Sequence, residues 1–136
     1  MSVPPTSIEG RRWLRYAGED LSAAEALQRA PAASPRHACR LAQQAAEKAL
    51  KAALIALQID YPRRHDLDVL MRLLPPHWSI RRELRDLAEL TEWSVEARYP
   101  GEWPEPTDTD ASTAIEQARS VIDLVTADLV REGLLP

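Results

Sequence analysis

The sequence predicts an all-α protein, an up-and-down helical bundle of four main helices plus one short extra helix. Three observations carry this expectation. Apolar residues recur at spacings of three and four along most of the chain, the period of one helix face. The apolar set is mostly Ala and Leu, strong helix formers, and Phe is absent, whereas strands favour β-branched and aromatic residues. No alternating strand pattern, internal repeat or low-complexity tract interrupts the helical period.

The first helix is expected from about Arg11 to Arg29, with Trp13, Ala17, Leu21, Ala24 and Leu27 on one face. Pro31 and Pro35 bracket the turn that ends it. Ser34 is a fair N-cap for a second helix, with Pro35 at its first position. That helix runs to about Gln58, a length of about 35 Å at the usual rise per residue. Its stripe of Ala38, Leu41, Ala45, Ala49, Ala52 and Ala56 lets the first helix approach closely, and Leu50, Leu54 and Leu57 add a bulkier flank. The pair reads as an antiparallel hairpin.

After a break at Asp60 to Arg64, Asp66 caps a short helix carrying Leu67, Leu70, Met71 and Leu74, which Pro75 and Pro76 end. Ser79 opens another helix with Ile80, Leu84, Leu87, Thr91 and Val95 on its inner face. Pro100, Gly101, Pro104 and Pro106 make the next stretch a loop. The final helix starts near Asp108 and aligns Ala111, Ile115, Ala118, Ile122, Val125 and Leu129. Trp13 and Trp93 fall on helical faces and are expected in the core. Trp78 and Trp103 fall in turns and are expected half-exposed, at a dimer surface.

The 136 residues suit one domain, large enough to bury a core without disulfides or a structural metal. With 45% hydrophobic and 28% charged residues, the chain is not of the disordered class. Cys39 is the single cysteine, which excludes an intrachain disulfide and makes a reducing cytoplasm the expected home. The first ten residues hold no apolar signal-peptide core, and no apolar run approaches the ~20 residues that span a bilayer. A net charge of −4 argues against strong attraction of nucleic acid by the molecule as a whole. Locally, however, Arg36, Arg40, Lys48, Lys51, Arg63 and Arg64 crowd the first half. The few glycines do not cluster into a phosphate cradle or a nucleophile elbow, and His37 and Cys39 point apart on a helix without a second ligand pair. No metal and no cofactor are expected.

Three strings occur in order along the chain: Gln43 to Leu54 on the second helix (QQAAEKALKAAL), His65-Asp66-Leu67 with Leu70, and Ala97-Arg98-Tyr99-Pro100 before the last loop. With Ala17 and Asp20-Leu21 on the first helix, they resemble the HEPN domain family (higher eukaryotes and prokaryotes nucleotide-binding) over about Trp13 to Val130. The resemblance implies a HEPN-like bundle over residues 11–132, behind a flexible N-terminus at 1–10. It also implies a homodimer, and in small prokaryotic members a toxin–antitoxin or regulatory pairing with a minimal nucleotidyltransferase, with nucleotide or RNA as ligand. Other members are metal-independent ribonucleases whose arginine is followed four to six residues later by a histidine. Arg98 stands in the corresponding place, and no histidine follows it.

The candidate site residues follow. Arg98 and Tyr99 are the candidate catalytic pair, one to hold phosphate and one to stack on a base or donate a hydrogen bond. Gln44, Lys48 and Lys51 share one face of the second helix and are candidate ligand contacts. Lys48 is also within reach of Asp20, and Glu47 and Lys51 are spaced for an ion pair. Arg64 and His65, next to Arg63, are candidate anion contacts, the arginines carrying most of the charge. The leading expectation is a regulatory component of a protein pair. Its rivals are a degenerate ribonuclease and a purely structural helical adaptor.

Overall fold

The computed structural model describes residues 5–30, 32–94 and 104–135. Among them are six helices and no strand: α1 (Pro5–Arg29), α2 (Pro35–Ala56), α3 (Leu67–Arg72), α4 (Ser79–Glu83), α5 (Ala88–Thr91) and α6 (Asp108–Arg131). Helix α2 is the axis of the bundle. It packs against α1 and α6 along most of its length and against α3 and α5 at one side. The alanine-rich sequence explains the position: Ala42, Ala45, Ala46, Ala49, Ala52 and Ala53 are all fully buried, so neighbours close on α2 from several directions. Helix α1 approaches closely at Gly10, where a Cβ would lie 2.8 Å from the Ala52 carbonyl oxygen.

Local chemistry sets the helix ends. The Ser34 hydroxyl accepts the Arg36 N–H at the start of α2, with Pro35 in the first turn. At the other end the Gln58 N–H bonds the Ile55 carbonyl, and Gln58 turns left-handed (φ 59°), which brings the Ile59 N–H back to Leu54. Helix α6 opens with a reciprocal box between Thr107 and Asp110. Asp66 caps α3, accepting from the N–H groups of Asp68 and Val69.

Three sequence expectations are corrected. Helix α1 starts at Pro5 instead of Arg11, because Ser7 and Gly10 are buried against the bundle and extend the packed face backwards. The helix expected from Ser79 onward is broken into α4 and α5. Buried Asp68 captures the Leu87 N–H at 2.9 Å and Asp86 captures the Ala88 N–H at 2.8 Å, so the backbone restarts there and Leu84 is extended. Trp78 is fully buried, not half-exposed, and its indole N–H donates to Glu132 at 3.1 Å. Trp93 is in the core as expected, Trp13 is half-buried, and Trp103 lies outside the described residues.

Helix α4 lacks a capping side chain of its own; α6 supplies one from outside. Asp128, with no exposed surface, accepts from the Ser79 N–H at 3.0 Å, the Ser79 hydroxyl at 2.6 Å and the Ile80 N–H at 3.1 Å. Arg131 adds a fourth bond at 2.6 Å. Burial alone would raise the Asp128 pKa, but the bonds from Ser79, Ile80 and Arg131 hold it below the usual range.

Candidate functional site

The one open strip of α2 leads to a cavity of about 280 Å³. Arg40, Gln43, Gln44, Glu47 and Lys48 form its α2 wall, and His65 and Ser94 close it. His65 arrives from the segment between α2 and α3. Tyr61 in that segment lies under the Lys51 ammonium, 5.6 Å from ring centre to nitrogen. The Asp66 cap then starts α3, and the Leu67 N–H bonds the Thr91 hydroxyl at 3.0 Å, tying α3 to α5. Ser94 follows α5 directly, so the same tie fixes both outer walls.

At the centre is Glu47, a nearly buried carboxylate. Its Oε1 accepts from Gln43 Nε2 at 3.0 Å and from His65 Nδ1 at 2.7 Å, and its Oε2 accepts from Lys51 Nζ at 3.0 Å. Burial pushes its pKa upward, but bonds from His65, Lys51 and Gln43, with the Lys51 charge, outweigh that and hold it below the ordinary value. Glu47 is therefore ionised at neutral pH. An ionised carboxylate only accepts, so the proton of the short bond sits on His65 Nδ1.

The cations differ in how they are committed. Lys48 is paired with Asp20 of α1 at 2.5 Å, the contact its spacing allowed, and Lys51 is paired with Glu47 as its spacing favoured. Arg40 is exposed at the cavity mouth with no carboxylate partner among the described residues. The Ser94 hydroxyl is buried on the cavity wall without a hydrogen-bond partner among the described residues. The cavity thus offers a cation at the mouth, a fixed anion inside and one unfilled hydroxyl. No group of metal-ligating residues occurs among the described residues, and no helix among them is long and apolar enough to cross a membrane.

Of the ligand residues expected from sequence, Gln44, Lys48 and His65 line the cavity. Lys51 stands behind Glu47 as its ion-pair partner, and Arg64 is exposed and not part of the lining. Arg98 and Tyr99 lie outside the described residues. Sequence reasoning gave no site role to Arg40, Gln43, Glu47 or Ser94. A signal for two of them was present: positions 43, 47, 50 and 54 continue one helical stripe, so Gln43 and Glu47 extend the row of buried Leu50 and Leu54.

The HEPN domain family model matches residues 11–129. A crystal structure of an archaeal HEPN homologue superposes with a TM-score of 0.66 at 26% identity, covering 93% of this chain and 98% of that one. No curated protein matches the sequence.

Proposed function

The chain belongs to the HEPN domain family, and from that premise we propose that it is a nucleotide- or RNA-linked regulatory component whose ligand enters the α2 cavity. The observation that carries this reading is the polarity of the cavity: Arg40 at the mouth without a carboxylate partner among the described residues, and a hydrogen-bonding interior around Glu47 and Ser94. Arginine's planar fork suits phosphate, and one phosphate at the mouth stays clear of the Glu47 charge. The cavity volume, about 280 Å³, suits a single nucleotide or less. The protein works in this reading as a homodimer and as a toxin-type or regulatory partner of a minimal nucleotidyltransferase.

Two measurements test the proposal. Titration calorimetry with AMP gives saturable binding that Arg40→Ala weakens several-fold. Size-exclusion with light scattering gives a homodimer alone, and a defined complex after co-expression with the nucleotidyltransferase of the neighbouring gene. A monomer that binds neither AMP nor that partner defeats the reading.

A second reading, a metal-independent ribonuclease, is favoured by one distance. Glu47 orients His65 through a 2.7 Å bond to Nδ1, which makes Nε2 the basic nitrogen of the neutral ring. A histidine so oriented supplies the acid–base group that the sequence lacks after Arg98. Loss of such a group costs about 10²–10⁴ in rate. RNA cleavage by the wild type that falls by that factor in both His65→Ala and Arg98→Ala supports it; absence of cleavage refutes it.

A further inference from the structure

The cavity has two hydrogen-bonding positions that no described residue fills. An ionised carboxylate has about four acceptor positions. Glu47 uses two on Oε1, for Gln43 and His65, and one on Oε2, for Lys51. One acceptor position on Oε2 therefore remains, on a side chain that lines the cavity and is only 12% exposed. The second position is the Ser94 hydroxyl, 3% exposed and without a hydrogen-bond partner among the described residues. A buried hydroxyl without a partner costs free energy that a fitting ligand returns.

These positions are selective in sign. The Glu47 position accepts only a donor, and a phosphate oxygen placed there meets a fixed negative charge. Arg40 at the mouth only donates, and its charge favours an anion. A ligand satisfying both ends carries a phosphate at one end and a hydroxyl donor at the other.

Resting on the nucleotide reading above, we infer that Glu47 and Ser94 together read a ribose hydroxyl, so that the cavity selects ribonucleotides over nucleotides lacking sugar hydroxyls. Glu47 is the specificity-determining residue, Ser94 its auxiliary, and Arg40 the phosphate contact. Gln43, Lys51 and His65 act through Glu47: they hold it charged and fix its rotamer.

The test is calorimetric titration of the full-length protein with AMP, 2′,3′-dideoxy-AMP and inorganic phosphate. Expected is AMP binding about tenfold or more tighter than the dideoxy compound, the size of one hydrogen bond to a charged acceptor. Ser94→Ala weakens AMP by about two- to tenfold and leaves the dideoxy compound unchanged. That variant removes a group with no partner, so it folds normally. Glu47→Gln, checked for folding by circular dichroism, narrows the ratio between the two nucleotides. Equal binding of AMP and dideoxy-AMP, both tighter than inorganic phosphate, overturns the inference while leaving the nucleotide reading standing; phosphate binding as tightly as AMP overturns both. Absence of binding by any of the three removes the nucleotide reading itself, and the inference with it.

Discussion

Replacing Glu47 by Leu removes a carboxylate on which three other side chains depend, and the cost can be worked from those three. Gln43 is 1% exposed and loses its bond, leaving an amide without its partner at about 1–3 kcal/mol. Lys51 is 15% exposed in its side chain and loses its ion-pair partner, keeping only the Tyr61 ring. His65 is 42% exposed in its side chain and loses only this bond, so its share of the cost is small. Together these give about 3–5 kcal/mol, the usual cost of stripping one partner from a buried ion pair. That is a large share of the roughly 5–15 kcal/mol that stabilises a domain. Urea unfolding followed by circular dichroism reads the loss as a lower midpoint at unchanged slope. The pH dependence gives a second check. The folded-state pKa of Glu47 lies below its ordinary 4.5, so its contribution is present above that value and is lost as pH falls through the folded pKa. The gap between wild type and variant is therefore full at neutral pH and narrows on acidification below about pH 4.5. A loss under about 1 kcal/mol, or a gap that widens in acid, refutes the placement of Glu47 as a buried anion held by three donors.

Other substitutions test the frame around the site. Asp128→Asn keeps the size of the side chain but leaves it one oxygen for the donors of α4 and Arg131; about 2–3 kcal/mol is lost at neutral pH, measured by the same urea titration. Gly10→Ala destabilises by about 1–3 kcal/mol because its Cβ meets the Ala52 backbone, and a thermal melt showing stabilisation contradicts the close approach of α1 to α2. Gln58→Gly relieves a left-handed residue at the end of α2 and raises stability by about 1 kcal/mol, read as a higher melting temperature.

Helices α2 and α6 were legible because each carries its own punctuation, whereas the start of α1 was not, since its first turns are set by burial of Ser7 and Gly10 against the bundle. Ser34 and Pro35 announce α2, and Asp108 opens α6 where the proline-rich stretch stops. The division of α4 from α5 was not legible, since it depends on Asp68, a residue nineteen positions away that captures a backbone N–H. The burial of Trp78 was hidden for the same reason: Glu132 gives its indole nitrogen a partner from the far end of the chain. Of the residues lining the cavity, Gln44, Lys48 and His65 had been singled out in the sequence, and the Lys48–Asp20 pair was legible because small alanines beside Lys48 leave it room to reach α1. Glu47 was read only as a surface partner of Lys51. Its central role needs His65 to come across from another segment, and contacts of that kind leave no spacing in the sequence.

The most direct test of the account is a nuclear magnetic resonance titration of isotope-labelled protein with AMP. The account predicts saturable shifts of backbone amides concentrated at Arg40, Gln43, Gln44, Glu47, Lys48, His65 and Ser94, the residues around the α2 cavity. Shifts that gather elsewhere, on the outer faces of α1 or α6, or a spectrum unchanged at millimolar AMP, would contradict it.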